Sequence, residues 1–132
     1  MLHVCLLSND YLNPTSTYKR ILEKRTREAP ALFKNKGKYY LVTSGCSGWS
    51  PNEASYAVAD SPLGPWKEFG NPCTGSGAET TFQSQSTFIL PVNGKPDDYI
   101  FMADKWNKLN LEDSRYIWLP LKVANGKVVI KG

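Results

Sequence analysis

Arg27-Glu28-Ala29-Pro30-Ala31-Leu32-Phe33, followed by Lys38-Tyr39-Tyr40-Leu41-Val42-Thr43-Ser44, is the stretch that decides how this chain is read. The linking Asn35-Lys36-Gly37-Lys38 has turn chemistry, and Gly37 can supply the positive φ that a tight hairpin needs. Two antiparallel strands are therefore expected here. Glu28 stands one step before a stiff Ala-Pro-Ala entry into the first strand. It is expected to project from the end of that strand, with the chain behind it locked.

Moving downstream, Ser44–Asn52 is a loop of small residues, Ser55–Ala59 reads as a third strand, and the Asp60–Pro65 turn leads into a fourth at Trp66–Phe69. After the Gly75-Ser76-Gly77-Ala78 loop the same grammar returns. Ser86–Leu90, a turn at Asn93-Gly94-Lys95-Pro96 and Tyr99–Ala103 come first. A loop through Asp104-Lys105-Trp106, then Arg115–Leu121 and an Asn125-Gly126 hairpin into Val128–Ile130, complete the second unit. Two consecutive four-stranded units predict blades of a β-propeller. A β-sandwich built from the same hairpins is the alternative. Upstream, Leu2–Leu7 reads as a strand, Ser8–Asp10 and Asn13–Thr17 as turns, and Tyr18–Arg27 as a short edge strand with a basic loop. The fold class expected is all-β: about two complete blades plus part of a preceding one. Residues 1–26 would end that preceding blade, 27–80 would form one blade and 81–132 the next.

The repeat also places side chains. Aligning Ala31-Leu32-Phe33 with Phe88-Ile89-Leu90 puts Gln85 where Glu28 stands in the earlier unit. Equivalent positions on neighbouring blades converge near a propeller axis, so Glu28 and Gln85 are expected to face one cavity.

Composition narrows the function. At 132 residues, 41% hydrophobic and 12% aromatic, the chain can bury one real core. Its apolar runs are too short to span a membrane. Leu2–Leu7 has no basic leader before it and is too short for a secretory signal; it reads as a strand entered mid-fold. The net charge is +4, with a basic cluster at Lys19, Arg20, Lys24, Arg25 and Arg27. Glu23 and Glu28 interrupt that cluster and no recognition motif accompanies it, so a solvated face is expected rather than a nucleic-acid site. Cys5, Cys46 and Cys73 follow no metal spacing and are odd in number, which predicts buried free thiols. His3 is the only histidine, which rules out a multi-His metal site or a Ser-His-Asp triad within the chain. No cofactor is called for.

Several motifs occur together and in order: Arg27-Glu28-Ala29-Pro30-Ala31, Thr43-Ser44-Gly45-Cys46-Ser47-Gly48-Trp49, Ala59-Asp60-Ser61-Pro62-Leu63-Gly64-Pro65-Trp66 and Ser84-Gln85-Ser86-Thr87. In these the chain resembles glycoside hydrolase family 43, and most of all its exo-β-1,3-galactanase branch. The resemblance implies a five-bladed propeller that hydrolyses glycosidic bonds with inversion. It implies Glu28 as general acid and Gln85, with Gln83 as the weaker neighbour, as the group that orients or activates water. A general acid has to be protonated near neutral pH, which calls for burial or a nearby carboxylate. An inverting enzyme also needs room for water between its two groups. The chain is shorter than such a domain, so it is expected to be its C-terminal part, inactive alone, lacking N-terminal blades and, upstream, a signal for secretion or the periplasm. A family-related arabinofuranosidase or xylosidase, or a non-catalytic carbohydrate-binding propeller, are the alternatives.

Other candidates follow from position. Trp49 and Trp106 lie in corresponding loops of the two units, each a sugar platform or a packed loop anchor. Asp104 could bind sugar hydroxyls or brace its loop, and Ser47 joins the substrate-binding candidates through its motif. Trp66, after a Gly-Pro turn, is expected to pack. Glu79, in the Gly-rich approach to Gln85, is the leading alternative carboxylate within the chain, expected in solvent or bracing its loop.

Overall fold

The computed structural model describes residues 1–132 as β-strands with two single 3-10 turns, Ala78–Thr80 and Leu111–Asp113, and no α-helix. Strands β1 (Leu2–Leu7) and β2 (Pro14–Ile21) form a hairpin that stands to one side. Strands β3 (Arg27–Asn35), β4 (Lys38–Gly45), β5 (Ser55–Ala59) and β6 (Lys67–Gly70) follow one another as an antiparallel sheet. Next come β7 (Cys73–Thr74), β8 (Gln85–Pro91), β9 (Asp98–Lys105), β10 (Arg115–Ala124) and β11 (Lys127–Lys131), which make a second sheet in the order β7-β11-β10-β9-β8. The protein is all-β, and no helix is long and apolar enough to cross a membrane.

Several details differ from the sequence reading, and one is that Asp104 and Lys105 end β9 rather than lying in a loop. Pro14–Thr17 is not a turn but the start of β2, where proline, occupying the first strand position, costs no ladder hydrogen bond. Glu28 lies inside β3 rather than before it, opposite Ser44. The second sheet also has a fifth strand, because β7 pairs in parallel with β11 at Ile130–Cys73 and Lys131–Thr74. That strand comes from upstream of residue 81, so the second unit draws on chain assigned to the first.

One core joins the two larger sheets. Ala31, Phe33, Tyr40, Val42 and Tyr56 from the first sheet share a cluster with Ile89, Tyr99, Phe101, Ala103 and Leu121 from the second. Phe33 packs between Tyr40, at 5.1 Å, and Tyr99, at 4.7 Å between ring centroids. Buried Asn35 is satisfied by donating to the Pro96 carbonyl, Asp97 and the Tyr99 hydroxyl, as a buried amide must be. The strand register extends the internal repeat. Phe33 faces Tyr40 across the first sheet, and its counterpart Leu90 faces Ile100 across the second. The first pair is covered by the second sheet. The equivalent face of the second sheet is open, leaving Phe88 (53% exposed), Leu90 (39%) and Trp118 (63%) in solvent.

All three cysteines are free thiols, but only Cys73 is buried; Cys5 is half-buried and Cys46 exposed. Cys46 escapes burial because it lies just beyond the end of β4, at the start of the loop there. Burial pushes the Cys73 thiol up to about 12, and only the thiolate is a good nucleophile. At pH 8 a maleimide is therefore expected to label Cys46 first and Cys73 only after unfolding, as read by mass spectrometry of labelled peptides. Fast labelling of Cys73 in the native chain would contradict this burial.

Candidate functional site

Both strands that carry the repeated site positions are interrupted next to them. In β3 the register shifts between Glu28 and Ala31, where Ala29 takes a left-handed φ of 49°. Pro30 has no N–H to give the ladder, which suits it to such a bulge. In β8 the shift falls between Ser86 and Phe88. Each bulge bends its strand end: Glu28, opposite Ser44, is brought onto the face of Ala31 and Phe33 that looks toward the second sheet, while Gln85, opposite Asp104, leaves the face of Ile89. The two ends are then tied together, the Ser86 hydroxyl donating to the Ala29 carbonyl at 2.7 Å.

Gln85 is held at every polar atom of its amide. Its Nε2 donates to Glu28 Oε1 and to Ser44 Oγ, each at 2.9 Å, and its Oε1 accepts from the Trp106 indole N–H at 3.1 Å. Turning the amide over would set its oxygen against the carboxylate and its NH₂ against an indole N–H, so the orientation is determined by its partners. Trp106 is itself held edge-on against Trp49, with centroids 5.5 Å apart. Glu28 and Gln85 are both half-buried. Arg27 braces the strand beside them, donating from Nε to Thr43 Oγ1 at 2.9 Å and from Nη2 to the Thr43 carbonyl at 2.7 Å.

Beside this cluster is an open cavity of about 130 Å³, walled by Ser44, Trp49, Asn52, Gln83, Gln85, Lys105 and Trp106 among others. Its floor is anchored from below. Buried Thr81 donates to the Asn52 carbonyl at 2.7 Å and accepts from the Ala54 N–H at 2.8 Å. Thr81, Phe82 and Gln83 run at φ of 51°, 57° and 62°. Three consecutive left-handed side-chain-bearing residues are costly, and this loop is held in place by those bonds.

The candidates from sequence therefore separate. Glu28, Gln85 and Trp106 are joined by hydrogen bonds, and Trp49 packs on Trp106. Trp49 and Trp106 remain 51% and 42% exposed, with surface left to present to a ligand. Gln83 is in the cavity wall, its amide donating to Thr80 Oγ1 at 2.9 Å. Ser47 is engaged within its own loop, donating to the Ser50 carbonyl and accepting from Asn52 Nδ2. Asp104 is the register partner of Gln85 but is not in the cavity wall; burial raises its pKa above the ordinary carboxylate value. Trp66 is half-buried, its indole N–H on the Pro62 carbonyl. Glu79 is exposed and also outside the wall. No cluster of three or more His, Cys, Asp or Glu side chains is placed to hold a metal ion.

Ser44, Asn52 and Lys105 were not singled out from sequence. For Ser44 a signal existed: Pro30 inside a strand marks a bulge, and counting the hairpin through one extra residue brings Ser44, not Gly45, opposite Glu28. Nothing local marks the other two.

No protein-family model and no curated protein matches the chain. Solved structures do. A β-1,3-galactosidase of glycoside hydrolase family 43, determined with galactodeoxynojirimycin, is 48% identical and superposes over 98% of this chain with a TM-score of 0.93. The exo-β-1,3-galactanase of Clostridium thermocellum is 36% identical over 97% of the chain, with a TM-score of 0.81. That of Phanerochaete chrysosporium, determined with β-1,3-galactotriose, is 32% identical over 97%, with a TM-score of 0.83. The chain spans only 38%, 28% and 29% of the length of these three proteins. Over nearly all of its own residues, then, and over a part of theirs, this chain is homologous to the β-1,3-galactosidases and exo-β-1,3-galactanases of glycoside hydrolase family 43.

Proposed function

We propose that the chain is the C-terminal part of a secreted or periplasmic, five-bladed propeller domain that hydrolyses O-glycosyl bonds with inversion, acting from the end of β-1,3-galactan. The observation that carries this is the contact between Glu28 and Gln85, two positions equivalent in the repeat and joined across sheets. A carbohydrate-binding module needs no proton donor at this position. Residues 1–26, 27–80 and 81–132 would be the end of one blade and two further blades, with β7 exchanged forward. The open apolar face around Phe88, Leu90 and Trp118 supports further blades, since its counterpart in the first sheet is covered by the second.

In this reading Glu28 gives its proton to the departing glycosidic oxygen. The carbonyl oxygen of Gln85, which has a second lone pair beyond the one taken by Trp106, holds the attacking water. An amide is too weakly basic to take the water's proton by itself; its work here is position. Inverting pairs are commonly about 6.5–9.5 Å apart, to admit sugar and water, whereas Gln85 Nε2 lies 2.9 Å from Glu28 Oε1. Substrate therefore has to part the two, which exchanges that bond for bonds to sugar hydroxyls and leaves Glu28 free to point an O–H at the leaving oxygen.

The test is product analysis by NMR. The intact parent is expected to release galactose from β-1,3-galactan, first as the α-anomer, and the isolated 132-residue chain to release none. Release of the β-anomer would remove inversion, and turnover by the chain alone would remove the need for further blades.

A further inference from the structure

We infer that Trp106 is a positioning residue, whose indole N–H decides which end of the Gln85 amide meets the attacking water. This deepens the hydrolase reading and rests on it. Trp106 immediately follows β9, two residues beyond Asp104, the register partner of Gln85. That is the diagonal position across the strand pair, within reach of a long aromatic side chain. The backbone is fixed on both sides of it: Lys105 pairs with Arg115, and the Asn107 N–H donates to Ser114 Oγ at 3.2 Å. The ring is steadied by its edge contact with Trp49, and its N–H donates to Gln85 Oε1 at 3.1 Å.

An amide has two ends of similar shape, and only the oxygen end can hold a water through a lone pair. The partners of Gln85 differ in how strictly they tell these ends apart. Ser44 Oγ accepts from Nε2 at 2.9 Å, but a hydroxyl donates as readily, so it would serve a turned amide by donating to Oε1. Glu28 Oε1 also accepts from Nε2. As a carboxylate it would reject a turned amide. A general acid works in its protonated form, however, and a protonated carboxyl both donates and accepts. Substrate then draws Glu28 toward the leaving oxygen and removes even that contact. The indole N–H only donates. A turned amide would set its NH₂ against that N–H, donor against donor. Trp106 is therefore the one partner whose sense stays fixed when Glu28 is loaded with its proton. It takes one lone pair of Oε1 and leaves the other for water, a role apart from that of sugar platform or loop anchor.

The experiment measures kcat and KM of the intact parent enzyme on β-1,3-galactan and on an aryl β-galactoside. One variant is Trp106→Phe, which keeps an aromatic face. In a second the Trp106 indole is replaced by benzothiophene, which keeps the ring's size and loses only the N–H. Both are expected to lower kcat about five- to tenfold, the contribution of one hydrogen bond, with KM nearly unchanged. The water and not the leaving group is affected, so the loss should persist on the aryl galactoside, where that of Glu28→Gln shrinks. An amide spectrum of the 132-residue chain that Trp106→Phe leaves in place shows that the fold is kept; where it does not, the benzothiophene variant decides. Wild-type kcat in that variant, a loss confined to KM, or a loss that disappears on the aryl galactoside makes Trp106 no more than a platform. Each of these overturns the inference and leaves the hydrolase reading standing. If the wild-type parent releases no galactose, the hydrolase reading fails and the inference with it.

Discussion

Glu28→Gln in the intact parent enzyme is expected to lower galactose release from β-1,3-galactan by roughly 10²–10⁴-fold, the range that a positioned general acid contributes. The substitution is close to isosteric. Its side-chain carbonyl can still accept from Gln85 Nε2, as Glu28 does at 2.9 Å, so the two sheets stay tied and the fold is kept. What is lost is the proton for the leaving group. The effect should appear in kcat with little change in KM, and should be smaller on aryl galactosides whose leaving groups need no protonation. Wild-type turnover on galactan by the variant would sink the assignment of Glu28 as acid.

Phe101→Ala is expected to cost about 3–5 kcal/mol, much of the roughly 5–15 kcal/mol by which a domain is stable. Phe101 is in the middle of β9, fully buried, facing Ile89 on one side and Leu119 on the other. Its strand neighbours are fixed by register on both sides, so the void is filled only by side-chain relaxation. Urea denaturation followed by tryptophan fluorescence should show a large fall in the midpoint. Leu32→Ala, at a side chain 46% exposed, should cost far less. Equal losses at the two positions would mean that the shared core between the sheets is not the main source of stability.

The order of the strands was readable from local signals. Ser55–Ala59 is a short run of mostly apolar residues bounded by turn signals, and the Asn125-Gly126 turn leads into β11 as expected. The pairing of Glu28 with Gln85 came from the repeat, which aligns positions without any knowledge of three-dimensional contacts. Pro14 misled because proline signals a turn and a strand's first residue equally well. Strand β7 left no trace, being two residues long and held by a parallel partner more than fifty residues away. Lys105 and Asn52 were invisible for a different reason: their place in the cavity wall depends on how two loops meet, and no periodicity encodes that. The family motifs named the relatives, and the solved structures agree with them.

The paired bulges at Ala29-Pro30 and Thr87 give each site strand two phases, one serving the core and the other the cavity. Losing a single residue at either slip would erase the offset while Phe33 and Ile89 stayed seated. Side chains beyond the slip would keep their partners, Glu28 opposite Ser44 and Gln85 opposite Asp104, on a straightened strand that no longer aims them at the cavity. The lesion would cost chemistry and spare folding, so a one-codon deletion in either strand is a short route from a hydrolase to a descendant that keeps its shape and has lost its reaction.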